Sequence, residues 1–112
     1  MFKPRSRDND SGMVGANQMT ANNYRGRLYS EAMQQTLSGQ LAIWQDIEGE
    51  SRIDDAERAR LLEHCRSDIA FLLDLDMVTA DDVRQALKTL KPSTTQREPL
   101  IRLLQDWMKQ AA

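Results

Sequence analysis

Apolar residues recur at helical spacing in four separate blocks of this 112-residue chain, and strict alternation never persists long enough to make a strand. The first block reads Tyr29, Met33, Leu37, Leu41, Trp44 and Ile47, stepping by three or four residues. That step places all six side chains on one face of an α-helix. β-branched residues are sparse in the periodic segments, and no repeat of fixed period is visible. The pattern predicts an all-α fold: an antiparallel helical bundle of about four helices, one long and N-terminal, three shorter.

Local signals place the boundaries. The first helix is expected to begin after Asn22 or Asn23, either of which can cap it, and to end at Gly49. Such a helix would be about 40 Å long. Gly26 and Gly39 lie inside it, each costing about 1 kcal/mol relative to Ala, so a later start or a bend near Ser38 and Gly39 is foreseen. Asp54 and Glu57 open the second helix as a capping box, followed by the stripe Leu62, Cys65, Ile69 and Leu72. Leu61, Phe71, Leu73 and Leu75 widen that stripe until the last two turns are apolar almost all round. Thr79 and Asp82 cap the third helix, which carries Val83, Ala86, Leu87 and Leu90 and stops before Pro92. Thr94, Thr95 and Glu98 announce the fourth, with Pro99 in its first turn and an apolar face of Leu100, Leu103, Leu104, Trp107 and Met108. Residues 1–19 are polar and aperiodic and read as a disordered tail; residues 20–112 read as one helical domain.

Composition narrows the function. Net charge is -2 and the sequence pI about 5.3, which disfavours a general nucleic-acid binder. One cysteine cannot form an internal disulfide, and no apolar run approaches the length of a membrane span, so a cytoplasmic setting is expected. His64 and Cys65 are the only residues of their kinds, and adjacent helical positions point about 100° apart. Neither a nucleophile–base pair nor a four-ligand zinc site can be built from them. Asp74, Asp76, Asp81 and Asp82 fail the calcium-loop pattern, because Val78, Thr79 and Gln85 stand where an oxygen ligand, a glycine and a glutamate belong. No glycine loop that could cradle phosphate follows a strand. The reading is non-enzymatic, with no catalytic residue, metal or cofactor.

What remains is an accessory, adaptor or regulatory module that binds another protein, or a second copy of itself, through an apolar helix face. Tyr24, Leu28 and Tyr29 are expected to line an overhang of the long first helix, and Phe71 and Met77 an exposed stretch of the second. Two alternatives stand beside this. One is a DNA-binding regulator with a helix-turn-helix in residues 62–91, whose reading helix would carry Asp81 and Asp82 towards phosphate. The other is a structural homo-oligomer subunit.

Overall fold

The computed structural model describes residues 29–111, and they form five helices and no strand. These are α1 (Glu31–Gln34), α2 (Leu37–Gly49), α3 (Asp55–Asp74), α4 (Ala80–Thr89) and α5 (Glu98–Ala111). The expected all-α class is therefore observed. α2 packs against α1, α3 and α4, and α5 packs against α3 and α4. One core joins them. Leu37, Leu41, Trp44 and Ile47 of the first apolar block are buried in it, and Tyr29 and Met33 pack half-buried at its edge. Leu61, Cys65 and Ile69 from α3, Val83 and Ala86 from α4, and Leu100 and Leu104 from α5 complete it.

The expected long first helix does not run unbroken. It stops after Gln34 and restarts at Leu37, leaving α2 at 13 residues and making the 20-residue α3 the longest element among the described residues. The break falls close to the bend foreseen at Ser38 and Gly39, and Thr36 sets where it comes. Thr36 takes an extended backbone (φ -123°, ψ 152°), and its hydroxyl accepts from the Gly39 N–H at 3.1 Å, so it caps α2 instead of continuing α1. Gly39 matters for another reason. A Cβ there would stand 2.1 Å from the Met33 carbonyl oxygen, so the backbone of α1 folds onto α2 only because position 39 has no side chain. Leu28 and Tyr24, the other expected overhang residues, lie outside the described residues.

The remaining boundaries follow their caps. Asp54 accepts from the Glu57 N–H at 2.7 Å, but Glu57 pairs with Arg60 and does not reach back. At α4 both halves of the capping box are present: Thr79 accepts from Asp82 N, and Asp82 accepts from Thr79 N. Arg58, which fills the position where a hydrophobic staple would sit, has a different task. Its Nη1 donates to the carbonyls of Ile47 at 2.7 Å and Glu50 at 2.6 Å, closing the C-terminal end of α2 from the first turns of α3. Arg97, just before α5, grips Glu48 with two bonds of 2.8 Å. Burial alone would raise the Glu48 carboxyl, but the hydrogen bonds from Arg97, the nearby Trp44 indole and the Arg97 charge together outweigh it and hold the group below its usual range.

Replacing Gly39 by Ala sets two effects against each other. Helix propensity favours Ala by about 1 kcal/mol, whereas overpacking against fixed backbone costs about 1–3 kcal/mol. Because the obstructing atoms are the main chain of Met33, the clash is expected to win. Urea denaturation of Gly39→Ala should show a net loss of stability; a gain would mean that α1 moves away freely.

Candidate functional site

The break between α1 and α2 exposes a main-chain carbonyl, and the residue that answers it is Gln40. Its Nε2 donates to Gln34 O at 2.8 Å, and the side chain is buried, the residue being 1% exposed. Its Oε1 lies 3.4 Å from Cys65 Sγ, which is also 3.5 Å from the Gln40 carbonyl. One amide thus ties the break to the middle of α3. A buried polar group with both ends satisfied is what an interior tolerates.

Cys65 is fully buried, and burial pushes its thiol up to about 12, with the nearby Asp68 carboxylate adding to the effect. It is a weak donor in the core and a poor nucleophile. His64, its neighbour, is half-buried with Nδ1 3.5 Å from Asp68 Oδ2, one turn away. The two side chains therefore have separate partners. Among the described residues, no group of three or more His, Cys, Asp or Glu is placed to hold a metal, and no helix is long and apolar enough to cross a membrane.

The other side of Gln40 faces a groove of about 310 Å³. Gln34, Gln35 and Gln40 form its polar wall; Phe71, Leu75 and Met77 are the apolar wall, with Leu72 beneath and Asp68 at the margin. Phe71 is 62% exposed, Leu75 50% and Met77 48%; they are the large hydrophobic residues left open among those described. The end of α3 explains why they cluster. Met77 N donates to Leu72 O at 3.2 Å and Asp76 N to Leu73 O at 3.1 Å, the paired bonds of a Schellman close. That close turns the chain back so that Met77 lies beside the last turn of the helix. It requires a left-handed residue, and here Asp76 supplies it at φ 59° where glycine is usual.

Phe71 and Met77, both expected from the sequence, share this groove. Tyr29 does not line it: the ring is half-buried at the core's edge, and its hydroxyl donates to Asp46 Oδ2 at 2.8 Å. The Tyr29 carbonyl, however, accepts from Gln34 Nε2 at 2.8 Å, so the described chain starts beside the groove's polar wall. Trp44 is in the core, and Trp107 is half-buried against it. Sequence reasoning missed Gln40 and Gln34. The available signal was a polar residue, Gln40, next to Leu41 on the buried side of the first block.

Two measurements check this geometry. At position 76 a β-branched residue should suffer in the left-handed conformation, so Asp76→Val is expected to cost about 1–2 kcal/mol while Asp76→Gly costs nothing; equal losses for both would remove the Schellman close from the account. For Cys65, the folded thiol titrates near 12 against an ordinary 9.0, so the unfolded chain ionises first as pH rises. The contribution of the buried thiol to stability is then complete below pH 9 and is lost between 9 and 12. Wild type should lose more stability across that window than Cys65→Ala, and a native thiol that reacts with Ellman's reagent at neutral pH as fast as in the unfolded chain would contradict the burial.

Comparison with known proteins returns no matching family, no matching curated protein and no matching solved structure.

Proposed function

We propose that this chain is a small non-enzymatic interaction module of the cytoplasm, built as an antiparallel helical bundle, which binds another protein in the groove between the α1–α2 break and the end of α3. One observation carries the reading: Phe71, Leu75 and Met77 stand about half exposed or more together on one wall of a groove, while the other large apolar side chains among the described residues are buried or half-buried. Open apolar clusters on a small domain favour association, because covering them removes apolar surface from water at about 25 cal/mol per Å². Methionine and leucine beside a phenylalanine make an adaptable wall that suits an amphipathic helix presenting apolar residues at every third or fourth position. Gln34 and Gln35 opposite supply the side-chain amides that fix the register of such a guest. Asp68 and Asp76 favour a guest that carries basic residues.

A photo-reactive phenylalanine analogue in place of Phe71, in the full chain expressed in the native host, tests this. A discrete protein adduct is expected from position 71 and not from the exposed Gln85 on α4, and Met77→Glu should reduce it. An adduct of twice the chain's mass identifies a second copy as the guest and makes the protein a homo-oligomer subunit. Absence of any adduct specific to position 71 overturns the reading, and salt-dependent binding to duplex DNA in its place would move the protein to the nucleic-acid class.

A further inference from the structure

Three features of the groove converge on one occupant. The first is position. The described chain starts at Tyr29, whose carbonyl is 2.8 Å from the side-chain nitrogen of Gln34, a residue of the groove wall. Twenty-eight residues therefore join the fold at the rim of this groove, tethered there at high effective concentration. The second is charge. Residues 1–28 hold five bases (Lys3, Arg5, Arg7, Arg25, Arg27) and two acids (Asp8, Asp10), a net +3. The groove has the opposite sign: Asp68 lines it, Asp76 stands between two of its apolar residues, and α3 ends there with no base in its last turn. The C-terminal end of a 20-residue helix carries partial negative charge that favours cations. The third is apolar content. Met19, Tyr24 and Leu28, the large apolar residues nearest the junction, are suited to cover Phe71, Leu75 and Met77.

We infer that residues 19–28 of this chain dock in its own groove, with Tyr24 or Leu28 against Phe71 and Met77 and with Arg25 and Arg27 towards Asp68 and Asp76. The inference rests on the reading of this groove as a binding site and adds its regulation. A tethered segment competes with any external guest, so the partner must displace it, and the apparent affinity falls by the fraction of chains whose groove is open. Ionic strength loosens the arginine contacts more than the apolar ones.

The test uses the full chain with Ala21→Cys carrying a nitroxide spin label; Cys65 is buried and stays unlabelled. Docking predicts that the label at least halves the amide signals of Phe71, Leu75 and Met77 relative to the reduced label, at every protein concentration, and leaves Gln85 on α4 unchanged. In the Arg25→Glu, Arg27→Glu chain, which alters no described residue, this broadening should largely disappear. Broadening that survives the charge reversal unchanged reports only the proximity of a tether and overturns the inference. So does broadening that appears only when labelled chains are mixed with unlabelled ones, because the guest is then a second copy. The two readings fail separately. A groove with no label-dependent broadening whose position 71 still cross-links to another protein loses the docking segment and keeps the module. A groove that shows the charge-dependent broadening but yields no adduct keeps the docking and loses the external partner.

Discussion

The side-chain amide of Gln40 is the contact on which the arrangement of α1, α2 and α3 depends. A helix that stops leaves carbonyls without partners, and buried orphans of this kind cost about 1–3 kcal/mol each. At the end of α1 the debt falls on Gln34 O, and Gln40 meets it from one turn inside α2. Only a side chain with a donor and an acceptor at its tip can do this and also receive the Cys65 S–H. Glutamate in its ionised form has no donor, and leucine has neither group. The break between α1 and α2 is thus held by a two-ended bond, and it fixes the height at which α3 passes.

From that height the groove follows. α3 is about 30 Å long while α2 is about 20 Å, so the last turns of α3 run level with the break, with α5 against one side of them and the groove on another. The Schellman close at Asp76 then folds Met77 back towards Leu72. Phe71 and Leu75, which lie away from the buried line of Cys65, Ile69 and Leu72, are left on the open side. α3 thus overhangs α2, while Tyr24 and Leu28 of the overhang expected on the first helix lie outside the described residues.

Much of this was legible in the chain. Periodicity located the buried faces of all four longer helices, and the caps at Asp54, Thr79 and Thr94 fall where their residue types put them. Phe71 and Met77 were marked by apolar residues exceeding what one face can bury. The break was legible to within a few residues, since Gly39 marked a weak point in the long helix; what spacing did not announce is that Thr36 caps the restart and that Gly39 is the place where Met33 is allowed in. Arg58 gave no sign of its task, because its hydrogen bonds go to the end of the previous helix. Long-range partners of this type leave no trace in sequence spacing.

The two ends of the α2–α3 pair are built on different principles, and this explains how so small a domain leaves three large hydrophobic residues open. At one end Arg58 closes the α2 carbonyls and the Glu48–Arg97 pair, its side chains each 16% exposed, bolts α2 to the start of α5. These are directional, charge-assisted bonds that fix geometry as well as adding stability. Towards the other end the polar contacts between α2 and α3 are a single amide and a thiol, beside an exposed apolar wall. Leaving a Phe, Leu or Met in water forgoes about 1.5–3 kcal/mol of burial apiece. The core does not need that contribution, since Leu61, Ile69, Leu100 and Leu104 are completely enclosed without it. Substitution at Phe71, Leu75 or Met77 therefore leaves the core's own packing untouched, and the wall's apolar character is free to be set by whatever covers it.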